Sequence, residues 1–236
     1  ITQAALSANA NIYENSAVSS YDLSNNHVKV NTKSGSVKAE RVVLACNGYL
    51  GNLEKRLNSK LLPMNNYIVA TKPLDNETVA KINPRDIAFA DSRFVINYFR
   101  LSADKRLLFG GGENYSQELS KNIIPIVIKP LEKIYPFLRG VKIDYAWGGK
   151  LALTMNRLPF YKEMNQGKVL SAQGYSGQGV ALASYAGKVI AEKITGDGEI
   201  FDTMTNIPMR SFPGGRFLRN PTMRVGMFYH ALLDRL

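Results

Sequence analysis

The chain has 236 residues, 45% of them hydrophobic, enough for one large domain or two small ones around a real core. It holds no run of 18 apolar residues, so no membrane-spanning helix is expected, and its one cysteine, Cys46, excludes a disulfide framework. That usage fits a reducing, cytoplasmic setting. Thirty Lys/Arg against 19 Asp/Glu give a net charge of +11, yet the chain has no block of five or six like charges. The densest excess lies after residue 203, where Arg210, Arg216, Arg219, Arg224 and Arg235 face only Asp234. It reads as a solvated or partner-facing tail rather than a nucleic-acid surface. Ile1-Thr2-Gln3-Ala4-Ala5 has neither Met nor the flanks of a signal peptide, and reads as the interior of a longer protein.

In chain order, residues 12–19, 27–32 and 36–39 read as strands, with Asn25-Asn26 and Ser34-Gly35 as turns. Val28, Val30 and Thr32 alternate with Lys29 and Asn31, the pattern of a half-buried strand. Residues 41–46 are apolar after Arg41, as in a strand buried on both faces of an α/β sheet, and Asn47-Gly48 turns the chain at its end. Ligands of such sheets bind beyond the carboxyl ends of the strands, which is where Ala45, Cys46, Asn47 and Gly48 fall. A second β-rich block follows, with strands at 66–71, 87–90, 94–101 and 106–110. Residues 117–135 read as a helix interrupted by Pro125 and Pro130. Residues 141–147 read as a strand ended by Gly148-Gly149, and 168–173 as a buried strand. Residues 180–194 read as a helix closed by Gly196. The tail from Asp202 is spotted with Pro208, Pro213 and Pro221, and residues 223–236 have the pattern of an amphipathic helix.

The strongest chemical signal is Gly174-Tyr175-Ser176-Gly177-Gln178-Gly179, set between the last strand and its helix. Glycines there let a backbone approach a ligand, and the helix N-terminus favours an anion or an electron-rich oxygen. A purely structural turn explains the same residues equally well. The order is not the dinucleotide fingerprint G-x-G-x-x-G, which occurs nowhere in the chain. His27 and His230 stand far apart and no C-x-x-C exists, so no metal site is expected. Ser176 lacks the spacing of a nucleophile elbow, and Cys46 reads as a small core residue. Trp147 is the only tryptophan and reads first as core. Tyr98 and Arg100 share one face of their strand, where they either line a cavity or decorate the surface.

Read in order, these segments resemble the FAD-dependent amine and amino-acid oxidoreductases of the D-amino-acid oxidase type. Within that family they are most similar to its γ-glutamylputrescine oxidoreductase-like branch. The resemblance is carried by residues 12–18, by Arg41 to Gly48 and by Tyr98-Phe99-Arg100 with residues 106–112. Trp147-Gly148-Gly149 with Thr154 and Arg157-Leu158-Pro159, the Gly174–Gly179 turn, and Phe212-Pro213-Gly214-Gly215 with Arg219-Asn220-Pro221 complete it. The implied fold is α/β plus α+β: a partial, Rossmann-like FAD-binding domain of the glutathione-reductase type with an antiparallel β-sheet substrate domain. The implied division is 1–48 (FAD-binding part), 49–145 (substrate-binding sheet), 146–196 (return to the FAD-binding part) and 197–236 (basic tail).

The resemblance further implies that Val18, Ala45, Cys46, Asn47, Gly48 and residues Gly174, Tyr175, Ser176, Gly177, Gln178 and Gly179 face FAD. Tyr98, Arg100 and Trp147 would face a small-molecule amine, whose C–N bond is oxidised by hydride transfer to the flavin. Three departures qualify it. The family's N-terminal βαβ unit is absent, so an FAD-binding half on the same or a separate polypeptide is the implied partner. Apolar Leu151 stands where amino-acid-specific members carry a carboxylate-clamping Arg, and Val180-Ala181 where others carry a Lys. A non-catalytic interaction module or one subunit of a split flavoprotein is the alternative reading.

Overall fold

The computed structural model describes residues 1–236 except 94–95, 115–117, 214–217, 219–220, 222–224 and 227–236. The elements are α1 (Thr2–Ser7), β1 (Val18–Leu23), β2 (Val28–Thr32), β3 (Ser36–Ala39), β4 (Val42–Leu44), α2 (Lys55–Asn58), β5 (Leu62–Thr71), α3 (Asn76–Ile82), β6 (Phe89–Ala90) and β7 (Tyr98–Leu101). They continue with β8 (Leu107–Asn114), α4 (Ile124–Ile134), β9 (Ile143–Leu153), β10 (Phe160–Met164), β11 (Val169–Gln173), α5 (Gly179–Thr195) and α6 (Glu199–Thr205). A 3₁₀ turn, Asn47–Tyr49, follows β4.

Three sheets result. The meander β1-β2-β3 is antiparallel, and β11 sits between antiparallel β10 and parallel β4. The third sheet is antiparallel in the order β6-β7-β8-β5-β9. Strand alternation divides its two faces. Tyr67, Val69, Leu101, Leu107 and Phe109 point to one side and form a core with Val127 and Leu131 of α4. Asn66, Ile68, Tyr98, Arg100, Leu108 and Trp147 therefore point to the other.

A second core packs Ala186, Val189 and Ile190 of α5 onto Leu170 and Ala172 of β11 and Phe201 of α6. A third joins Leu44, Ala152, Phe160 and Val169, tying β4, β9, β10 and β11 together. These mixed α/β elements and antiparallel sheets are the class the sequence indicates. β9 runs unbroken through residues 145 and 146, where the sequence reading divides two segments.

Several local expectations change. Residues 12–17 form no strand; β1 begins at Val18, because its register is set by β2 through Leu23↔Val28 and the Ser24–His27 turn (Ser24 N to His27 O, 3.0 Å). β9 continues through Gly148-Gly149 because β5 pairs with it over its whole length, and Gly148 gives room to the Tyr67 ring. The helix expected from residue 117 begins at Ile124, with Pro125 in its first turn, where no N–H is needed, and Pro130 inside it. Strand β10 and helices α1, α2, α3 and α6 were not legible as elements. β4 is not buried on both faces: Val43 is 40% exposed, because α5 packs on Leu170 and Ala172 of β11 and leaves an open groove over β4. Apart from Val225 and Gly226, the expected helix 223–236 lies outside the described residues, as do Phe94, Val95, Gly214, Gly215, Arg219 and Asn220.

Candidate functional site

The chain leaves β11 through Gly174 at φ +75°, a conformation open to glycine and strained for other residues. A Cβ there would sit 2.5 Å from the Thr154 methyl and 2.9 Å from Leu61, so the turn is pressed against β9 and the α2–β5 connection. Ser176 (φ +51°) donates its N–H to Ala152 O at 3.0 Å, fixing the turn to β9. Gly177 (φ +98°) has open space where a Cβ would be. The N-cap, Gln178, makes no side-chain cap hydrogen bond, so no cap side chain satisfies the first-turn N–H groups at the positive dipole end of α5. Val180 beside them is 97% exposed. Tyr175 is buried, its hydroxyl donates to Ala172 O at 2.8 Å, and burial pushes its pKa up to about 12, so it stays neutral as a spacer.

The turn after β4 meets this one. Asn47 Oδ1 accepts from Gly174 N at 3.0 Å. A Cβ on Gly48 would lie 2.7 Å from the carbonyl oxygens of both Lys150 and Leu151, so only glycine lets the 3₁₀ turn touch β9. Tyr49 Oη accepts from Lys150 N at 3.0 Å, and the Lys150 ammonium lies 5.8 Å from the Tyr49 ring centre. Cys46 is half-buried among the apolar groups of the third core, and burial pushes its thiol pKa up, as suits a packing residue. Ala45, Asn47, Tyr175 and Gly179 also line an apolar groove of about 520 Å³ with Val43 and Ile190.

β9 then leads onto the open sheet face. One cross-strand row there is Trp147–Ile68–Gly110–Tyr98, and the next includes Leu108–Arg100. Tyr98 lies flat over Gly110, where a Cβ would meet its ring at about 2.1 Å, and its hydroxyl donates to Asn66 Oδ1. Trp147 is 45% exposed, which overturns its reading as a core residue. Two small cavities adjoin at Ile68 and Trp147: one of about 170 Å³ with Tyr49, Asn66 and Leu151, the other of about 230 Å³ with Tyr98 and Arg100.

Comparison with known proteins identifies the frame. The family model described as FAD dependent oxidoreductase matches residues 1–193. The chain belongs to this family. It is 40% identical to a probable oxidoreductase OrdL of Rhizobium meliloti over 233 residues, covering 99% of this chain and 54% of the relative. It is 38% identical to the gamma-glutamylputrescine oxidoreductase of Escherichia coli over 226 residues, covering 95% and 53%. The chain thus spans about half the length of the curated relatives it matches. Among solved structures, a glycine oxidase from Bacillus cereus superposes with a TM-score of 0.69 at 19% identity, over 87% of this chain and 56% of that one. L-Proline dehydrogenase from P. horikoshii gives 0.66 at 23%, over 86% and 54%. These two likenesses concern the fold.

An FAD-dependent family requires a place for a flavin, and the residues present fit one. Open space beside Gly177, first-turn N–H groups of α5 without a side-chain cap and the exposed Val180 side chain form a surface suited to a flat ring with an electron-rich edge.

Of the residues singled out by sequence, Asn47, Gly48 and Gly174 to Gly179 come together, and Tyr98, Arg100 and Trp147 share one face. Val18 does not join either group: it lines a separate cavity of about 530 Å³ in the meander with Tyr13, Val30 and Val37. Sequence reasoning missed Tyr49, Asn66 and Lys150. A signal for Asn66 existed, since Asn65-Asn66 interrupts the apolar run of β5.

Proposed function

We propose that this chain forms the substrate-binding part, and one wall of the flavin site, of an FAD-dependent oxidoreductase that oxidises an amine C–N bond. The observation that carries the reading is the clasp Gly174–Asn47–Gly48–Tyr49, which joins an open glycine turn and helix end to an aromatic sheet face. Bound FAD supplies the two-electron acceptor. The chain's own groups do the rest. The α5 N-terminus and the turn stabilise negative charge developing on the ring edge beside them. Trp147, Ile68 and Tyr98 orient an apolar substrate stem and exclude water. The substrate class follows the gamma-glutamylputrescine oxidoreductase relative, a long amine rather than a simple α-amino acid. Apolar Leu151 on the trough agrees with that, while the cation lining it there, Lys150, sets its ammonium over the Tyr49 ring.

The groove of Val43, Ala45 and Ile190, beside the open edge of β4, supports a companion inference: the remaining FAD-binding segment of the longer relatives covers it. The groove is equally suited to a second reading, in which that half is a separate polypeptide and the chain is a subunit. Residues 1–48 and 146–196 then serve the cofactor, and 49–145 the substrate.

Flavin absorbance tests the reading. The chain purified alone should carry no flavin, and adding the FAD-binding segment with FAD should give a tight yellow complex bleached by γ-glutamylputrescine. Stoichiometric flavin in the chain alone would overturn the companion inference. No flavin in either sample would favour a non-catalytic interaction module.

A further inference from the structure

The tail after α6 carries Phe212-Pro213, a motif with no part in the flavin wall or the amine face described so far. Several contacts tie it down. Lys60 Nζ donates to Met209 O at 2.9 Å, Phe212 N to Ser59 O at 3.2 Å and Asn156 Nδ2 to Pro208 O at 3.4 Å. The Ser59 and Ser211 hydroxyls lie 3.4 Å apart. Held in this way, Phe212 is buried in a cluster with Leu62, Met64 and Leu153, and Leu151 packs against that cluster.

The cluster lies on the substrate face of the large sheet. Alternate residues of a strand share a face. β5 and β9 keep one register from Leu62 to Ala70, so Leu62–Leu153, Met64–Leu151, Asn66–Gly149 and Ile68–Trp147 are rows of a single face. Asn66, Ile68, Trp147 and Leu151 line the trough of about 170 Å³. Phe212 packs where that face continues past Leu151. The trough is thus open beside the exposed Trp147 and closed by the tail at Leu151. Four strand residues separate these two ends, about 14 Å.

We propose that Phe212 is a positioning residue for the substrate: acting through Leu151 and Met64, it sets where the trough ends and so the length of amine that fits. This rests on the amine-oxidoreductase reading above and brings residues 208–212 into the substrate site, where the sequence shows only a basic tail. Truncating the ring leaves a void over about one row, roughly 7 Å of sheet face. An extended chain advances about 1.2 Å per bond, so several more methylenes fit.

The flavin-loaded protein, with its FAD-binding segment present, is mixed anaerobically with n-alkylamines of increasing length. Calorimetry reads binding, and flavin bleaching reads oxidation. In the parent, affinity should rise with each methylene up to a cut-off length. Phe212→Ala should move the cut-off by at least two carbons and tighten the longest amines about 10-fold, as two further buried methylenes do. Bleaching rates at saturation with short amines should stay within about threefold, and Phe212→Leu should restore most of the parent cut-off. Leu131→Ala, in the core on the opposite face of the same sheet, should lower the melting temperature and leave the cut-off in place. An unmoved cut-off in Phe212→Ala, or an equal loss at every length, overturns the proposal. Should that variant not fold, Phe212→Leu and Phe212→Met carry the same comparison over a smaller range. If the cut-off moves but no amine bleaches the flavin, the role of Phe212 stands and the oxidoreductase reading fails.

Discussion

At Gly174 two costs coincide: a left-handed backbone and a side-chain position already filled by Thr154 and Leu61. At Gly177 only the first applies, since the space beside it is open. Gly174→Ala is therefore expected to lower stability by about 2–4 kcal/mol and Gly177→Ala by about 1–2 kcal/mol. Urea midpoints of the two variants check the order, and equal losses would count against the packing account. Flavin retention in the complex with the FAD-binding segment should show the reverse sensitivity per unit of stability lost, because Gly177 faces open space and the Gly174 position faces Thr154 and Leu61. The glycine pattern was legible in the sequence, but which glycine met protein and which met space was not, because that depends on β9 and the α2–β5 connection, far off in the chain.

The elements carry a second lesson through Asn47. Its side chain holds the β4 and β11 turns together across 127 residues of sequence, and its own φ of +48° suits asparagine. Asn47→Ala leaves Gly174 N–H without its acceptor and strains the backbone, for about 1–3 kcal/mol of lost stability. Asn47→Asp keeps an acceptor and should recover part of it; thermal melts of the two variants against the parent check the order. Strands β2, β3 and β11 and helix α5 announced themselves by period and by their bounding turns. Strand β10 did not: Phe160-Tyr161-Lys162-Glu163-Met164 lacks alternation, and it is a strand because β11 offers it an antiparallel edge. β9 passed its two glycines for the same kind of reason, a full-length partner in β5.

At the scale of the molecule, buried and half-buried tyrosines among the described residues contribute a response to alkali. Burial raises the pKa of Tyr135, of Tyr161 with help from Tyr185, and of Tyr175 to about 12 with help from Tyr161. Burial and the hydrogen bond to Glu54 raise Tyr21 as well. The unfolded value is about 10. Each group's contribution is thus complete below about pH 10 and is lost as pH rises toward about 12. The urea midpoint should fall over that window, and Tyr175→Phe should make the fall shallower; a midpoint independent of pH there would contradict the assignment.

By itself the sequence determined the family, the α/β plus α+β class, the glycine turn with its helix, and the shared face of Tyr98 and Arg100. Those features are local in chain order, written in period and in turn chemistry. Only the tertiary structure decided that Trp147 is exposed rather than core and that Val43 borders an open groove. Only there do Asn47 and Gly174 meet, and only there does Arg100 stand apart from the carboxylates that neutralise Arg106. Exposure and pairing depend on which segments pack together, and strand partners chosen across more than a hundred residues leave no mark in the local pattern.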